Sequence, residues 1–261
     1  MTILDKIVER KKQEVAEAKS KVSLEELTQY PLFERTCYSL KESVLHPDRT
    51  GIIAEYKRAS PSKGVINSHS TVEEVVLGYQ NAGASAISVL TDTDFFKGTL
   101  ADLTQARAVL TIPLLRKEFI VDKYQIAEAK AYGADIILLI AACLTPEEIE
   151  DFSNYAKSLG LNILLEVHNE EELVQNIFPN IDAIGVNNRN LKDFSVSLEH
   201  SYDLVNKIPN NYIKVSESGI SNPETIKDLK ERGFNSFLIG ENFMKTDDPA
   251  QAIKEFVNQI K

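Results

Sequence analysis

An acid and two lysines follow directly on a short apolar run, where Gly51-Ile-Ile-Ala54 leads into Glu55-Tyr-Lys-Arg-Ala-Ser-Pro-Ser-Lys-Gly64. Alternate side chains of a strand share a face, so Glu55 and Lys57 point together toward whatever that strand's end surrounds. Four more apolar runs end in ionisable or amide groups: Lys117-Glu118, Glu166, Asn187-Asn-Arg189 and Ser216-Glu-Ser-Gly219. One such tip reads as a solvated loop charge. Several converging on one partly enclosed mouth would tune each other's pKa values, the usual route to acid and base groups that work near neutral pH.

The elements that must position these groups are legible from Gly51 onward. Runs rich in Ile, Val and Leu occupy 51–57, 86–90, 112–117, 135–140, 162–166, 183–187, 212–216 and 236–240, each followed by a stretch with helical spacing. Strands alternating with helices imply right-handed crossovers and a parallel sheet, and this number of units predicts a closed (βα)8 TIM barrel. Ser70-Thr-Val-Glu-Glu74 and Leu144-Thr-Pro-Glu-Glu148 supply hydroxyl caps with acids in the first turn. Ala82-Gly-Ala-Ser85, Tyr132-Gly-Ala-Asp135 and the looser Arg232-Gly-Phe-Asn235 each stop a helix on glycine before the next strand. Residues 1–50 read as an N-terminal helical extension packed on the barrel within a single domain, 1–261. Its stripe Ile3, Leu4, Ile7, Val8 lies opposite a charged face with Glu9, Arg10, Lys11 and Lys12.

In such a barrel the C-terminal strand tips gather at one mouth. Glu217-Ser-Gly-Ile220 and Leu238-Ile-Gly-Glu241 each place a glycine just past strands seven and eight, where many barrels hold a phosphate against backbone N–H groups. Phe95-Phe96, Phe119 and Pro61 suggest an apolar substrate end. The chain's 29 basic and 39 acidic residues give a net charge of -10, which argues against nucleic acid or an anionic membrane as partner. No apolar run approaches a membrane span and no signal-peptide core opens the chain, so a cytoplasmic location is expected. Cys37 and Cys143 read as reduced, partly buried thiols, and the scattered His46, His69, His168 and His200 mark no metal site. His168, two residues past Glu166, is taken as structural or solvent-facing.

Six segments, in order, carry a resemblance to a known family: 55–64, Leu115-Arg-Lys-Glu-Phe-Ile120, Leu165-Glu-Val167, Ile184-Gly-Val-Asn-Asn-Arg-Asn-Leu191, Val215-Ser-Glu-Ser-Gly-Ile220 and Leu238-Ile-Gly-Glu241. Over nearly its full length the chain resembles indole-3-glycerol-phosphate synthase of tryptophan biosynthesis. The resemblance implies conversion of 1-(2-carboxyphenylamino)-1-deoxyribulose 5-phosphate to indole-3-glycerol phosphate, carbon dioxide and water, with no cofactor and no metal. It implies Lys117 as general acid for ring closure and Glu166 across from it, stabilising positive charge. Glu55 and Lys57 would serve dehydration or hold the substrate carboxylate. Asn187 and Arg189 would position the substrate, with Glu217 and Ser218 lining the mouth. Phosphate would lie on the backbone of Gly219, Gly240 and Glu241, assisted by Ser60, with the Glu241 side chain turned away. Phe96, Phe119, Leu138 and Leu191 would form the ring pocket. The segment Pro61-Ser-Lys-Gly-Val-Ile-Asn67 would move over bound substrate, bringing Lys63 to the mouth, and a monomer is the starting expectation. The nearest alternative is another phosphate-binding barrel such as phosphoribosylanthranilate isomerase, whose Cys and Asp pair is not what strand one offers here.

Overall fold

The computed structural model describes residues 3–190 and 194–260. Eight parallel strands close on themselves: β1 Ile52–Tyr56, β2 Ala86–Leu90, β3 Leu114–Lys117, β4 Ile136–Ile140, β5 Asn162–Val167, β6 Ala183–Asn187, β7 Ile213–Glu217 and β8 Ser236–Ile239. Closure is made by β1, which pairs with β2 (Ile53 opposite Ala86) and with β8 (Ile53 opposite Leu238). The strands fall where the apolar runs predict, within two residues at each end.

Period-two alternation explains how one strand serves two cores. On β1, Ile52, Ala54 and Tyr56 face outward into the large cluster shared with the helices, whereas Ile53 faces inward. The inward set includes Ala86, Leu115, Leu138, Leu164, Val215 and Leu238, a packed barrel interior rather than a channel. Around the barrel run α4 Val72–Asn81, α5 Leu100–Val109, α6 Lys123–Ala131, α7 Pro146–Ser158, α8 Glu170–Gln175, α9 Glu199–Leu204, α10 Pro223–Glu231, α11 Glu241–Met244 and α12 Pro249–Asn258. Thr71 caps α4, and Thr145 with Glu148 forms a capping box on α7 ahead of Pro146.

Three helices precede the barrel: α1 Ile3–Lys21, α2 Leu24–Thr28 and α3 Leu40–Leu45. The last closes the end opposite the strand tips: Leu40 and Val44 join the interior cluster, and Ser43 Oγ donates to the Ser85 carbonyl at 2.5 Å. Helix α1 lies along the barrel near α6, where Tyr124 Oη donates to the Val22 carbonyl at 2.9 Å. Its buried residues are Ile7, Lys11 and Val15. Lys11 therefore departs from the solvated face the sequence assigned to it, because at i+4 from Ile7 it shares the inward stripe and finds carboxylates there.

Candidate active site

Odd-numbered strands supply the charged layer of the mouth. Glu55 on β1, Lys117 on β3, Glu166 on β5 and Glu217 on β7 each sit two residues beyond an inward apolar side chain. A barrel stacks its inward side chains in layers drawn from alternate strands, so four groups on four alternate strands meet at one level. Neutral partners fill the even strands: Leu138 and Ile140 on β4, Asn187 on β6 and Leu238 on β8 line the same cavity of about 690 Å³.

Glycine makes the layer possible at two points. A Cβ on Gly185 would come within 1.9 Å of Glu217 Oε1, and one on Gly240 within 2.5 Å of Glu55 Oε1. These two residues leave room for carboxylates from the neighbouring strands. The role of Gly185 escaped the sequence reading, since a mid-strand glycine gives no local sign of what leans against it.

Lys117 Nζ stands 3.7 Å from Glu166 Oε2, and Asn187 Nδ2 donates to Glu166 Oε1 at 3.0 Å. Burial pulls the Lys117 ammonium down, but Glu166, Glu217 and Glu55 together raise it above its ordinary value. For Glu55 burial pushes upward; Lys57, 2.8 Å away, and Lys117 outweigh it and hold the carboxylate below the ordinary range. Glu217 goes the other way: burial and the charge of Glu166 raise it to about 8 against Lys117, and its Oε1 has no hydrogen-bond partner.

His168 is enclosed rather than solvent-facing. Its Nε2 lies 3.5 Å from Glu166 Oε1 and its Nδ1 3.3 Å from Glu172 Oε2. Burial lowers its pKa, the Glu172 hydrogen bond and Glu166 more than compensate, and the imidazole titrates above its ordinary value. The sequence offered only proximity to Glu166 as a signal.

The cavity's two ends differ in chemistry. Phe96 and Phe119 form one wall, ring centroids 6.1 Å apart, with Leu138 below. Ile3, Leu4 and Ile7 of α1 also line the cavity, a contribution that reading the extension by itself did not reveal. Phe95 is not among the lining residues. Opposite, Ser218 and Gly219 both adopt left-handed backbone, φ 69° and 79°. Asn188 Nδ2 supports the non-glycine member by donating to the Ser218 carbonyl at 3.1 Å, and Asn188 is itself held by Ser216 and Ser201.

Ser60, Gly240 and Glu241 complete that end. The Glu241 carboxylate stands at the rim of the cavity. It reaches across the rim toward two cations, 3.7 Å from Lys63 Nζ and 3.9 Å from an Arg189 nitrogen, because those charges attract it. Segment 61–67 includes the second strand of a short hairpin, Gly64–Val65, paired with Ala59–Ser60; Lys63, between the two strands, reaches the rim. Every candidate site residue inside the described range borders this one cavity. Leu191 lies outside the described residues. Among those described, no cluster of three metal-ligating side chains occurs and no helix is long and apolar enough to cross a membrane.

The family model described as Indole-3-glycerol phosphate synthase matches residues 4–256. Curated relatives named indole-3-glycerol phosphate synthase include one from Bacteroides thetaiotaomicron, 45% identical over 259 residues and covering 99% of both chains. Another, from Polynucleobacter asymbioticus, is 42% identical over 97% of this chain and 98% of its own. Among solved structures, tryptophan synthase from Pyrococcus furiosus superposes with a TM-score of 0.61 at 16% identity, covering 82% of this chain and 98% of that one. The 3-hexulose-6-phosphate synthase of Salmonella typhimurium gives 0.61 at 13% identity, covering 81% and 100%. These two likenesses speak to the barrel alone. Matched by the family model over nearly its whole length and by full-length relatives, the chain belongs to the indole-3-glycerol phosphate synthase family, the carboxy-lyases that form the indole ring in tryptophan biosynthesis.

Proposed function

We propose that the charged layer of β1, β3, β5 and β7 carries out ring closure, decarboxylation and dehydration of 1-(2-carboxyphenylamino)-1-deoxyribulose 5-phosphate. The carrying observation is one lysine enclosed by three carboxylates between an aromatic wall and a glycine-rich rim. A substrate with an aromatic acid at one end and a phosphate at the other fits that polarity.

The anthranilate ring lies against Phe96, Phe119 and Leu138. Phosphate lies on the backbone of Gly219, Gly240 and Glu241, beside the Ser60 hydroxyl. Lys117, protonated throughout the neutral range, gives its proton to the ketone oxygen as the ring carbon attacks. Glu166, fixed by Asn187, faces the positive charge that develops on the anilinic system. Arg189 pairs with the substrate carboxylate until it leaves as carbon dioxide. The Glu55–Lys57 pair then assists departure of hydroxide as water. Glu217, neutral below about pH 8, offers its carboxylic O–H as a donor to a substrate oxygen, and Ser218 shapes the rim beside it.

Two measurements test this. Fluorescence gain from indole formation should follow addition of the carboxyphenylamino-deoxyribulose phosphate to the protein. Lys117→Met should lower kcat by roughly 10²–10⁴-fold, the usual worth of a positioned general acid, with circular dichroism unchanged. A Lys117→Met enzyme of near-normal turnover would remove Lys117 from the proton transfer.

A further inference from the structure

Along the buried stripe of α1 a lysine stands where an amphipathic helix calls for an apolar residue. Lys11 Nζ lies 2.7 Å from Asp92 Oδ2, 3.1 Å from Glu118 Oε1 and 2.7 Å from Glu14 Oε2. Asp92 and Glu118 are as thoroughly buried as the lysine. Arg116 also faces Glu118, but at 3.9 Å, and is itself paired with Glu128 at 2.7 Å.

The two carboxylates have a second duty. Asp92 Oδ1 accepts from the backbone N–H of Phe95 at 2.7 Å and of Phe96 at 3.0 Å. Glu118 Oε1 accepts from the N–H of Phe119 at 2.9 Å, while its Oε2 takes the Thr91 hydroxyl at 2.8 Å. Each acid therefore pins the backbone of one ring of the aromatic wall, and both acids share the counter-charge delivered by α1. We infer that Lys11 is a positioning residue for the aromatic end of the substrate, setting the spacing of Phe96 and Phe119 from outside the barrel. This rests on the assignment of those two rings to the anthranilate moiety.

Without the ammonium, Asp92 would lose its close cation and Glu118 would keep only Arg116, at 3.9 Å, leaving two buried carboxylates short of counter-charge. They would move apart or take up a proton, and either change shifts the loops after β2 and β3. The phosphate end, built after β7 and β8 across the mouth, makes none of these contacts. A ring-specific loss follows, rather than a general one.

Steady-state kinetics of Lys11→Met supply the test, with inorganic phosphate as competitive inhibitor. KM should rise by about 10-fold or more while kcat stays within about three-fold and the phosphate inhibition constant within about two-fold, since only ring contacts are loosened. Lys11→Arg should restore most of the KM. An unchanged KM in Lys11→Met would overturn the inference, as would a phosphate constant weakened in equal measure, which marks general loosening. Should Lys11→Met not fold, Lys11→Gln removes the ammonium charge while keeping an N–H donor on that side chain, and is read by the same split. A Phe96→Ala enzyme with unaltered KM would instead remove the ring assignment, and the inference with it; a wild-type protein that forms no indole product removes the functional reading itself.

Discussion

Glu217 sits where burial and a neighbouring carboxylate oppose its charge, and its protonation has consequences for both stability and chemistry. The folded carboxyl titrates at about 8, against an ordinary value of 4.5. Below pH 4.5 the folded and unfolded forms both hold the proton and the group contributes no difference. Between pH 4.5 and 8 the unfolded chain releases it and the folded chain does not, so the unfolded state gains and stability falls as pH rises. Above pH 8 the loss is complete. Glutamine mimics the protonated acid and cannot ionise. Glu217→Gln should therefore match the wild type near pH 4 and exceed it increasingly toward pH 8.5, by on the order of a few kcal/mol at about 1.4 kcal/mol per pKa unit. Urea unfolding at the two pH values reads the difference, and an offset that is the same at both would show that Glu217 ionises in the folded protein as it does in the unfolded one. The same substitution leaves an amide N–H to donate where the acid O–H donated, so catalysis should suffer less than in Glu217→Ala.

At the scale of one strand, the period-two alternation made the site readable and also set the limit of what could be read. Glu55, Lys117, Glu166 and Glu217 announce themselves because each interrupts an inward apolar series at its C-terminal end. Gly185 does not, since Ala183-Ile-Gly-Val-Asn187 looks like any buried strand until the β7 carboxylate is placed against it. Lys11, His168 and the α1 side chains at the cavity were likewise hidden, because their partners are distant in sequence or follow from loop geometry. Strand ends drifted for a simpler reason: the apolar start Ile112-Pro-Leu-Leu115 reads as strand from its first residue, but pairing with β2 begins only at Leu114. Gly185→Ala separates packing from function. The atom that its Cβ meets is the end of a flexible side chain, not backbone, so the fold can adapt at about 1–3 kcal/mol. The Glu217 carboxyl must be displaced to allow it, and a misplacement of about 1 Å can cost on the order of 10²-fold in rate. Thermal melts and kcat/KM on one preparation should show a small shift in the first and a large fall in the second; an alanine enzyme with normal kcat/KM would mean that the position of Glu217 is irrelevant to turnover.

Across the whole barrel, the two ends of the strands are given to different tasks. The C-terminal tips crowd Glu55, Glu166 and Glu217 around Lys117, with Glu217 Oε1 left without a hydrogen-bond partner, an arrangement that costs stability. The N-terminal ends are closed by α3, whose Leu40 is completely enclosed among Ile53, Leu115 and their neighbours. Asn162 ties that closure down, its Oδ1 accepting from Leu40 N–H at 3.2 Å and its Nδ2 donating to the Tyr38 carbonyl at 2.9 Å. Leu40→Ala removes buried methyl groups from a site roofed by strands that cannot collapse around the void, so a loss of about 2–5 kcal/mol is expected. In a chain of this length that corresponds to a fall in melting temperature of very roughly 5–15 °C. Between the void and the charged layer stand the apolar layers of the interior, and coupling across them needs an element with two arrangements that both ends bias. At a temperature where both proteins are folded, Leu40→Ala should therefore keep the KM of the wild type and a kcat within about two-fold of it. Differential scanning calorimetry paired with kinetics decides the matter: a changed KM in a fully folded Leu40→Ala protein would show that the closed end of the barrel reaches the mouth, and that stability and catalysis are not divided between the two ends.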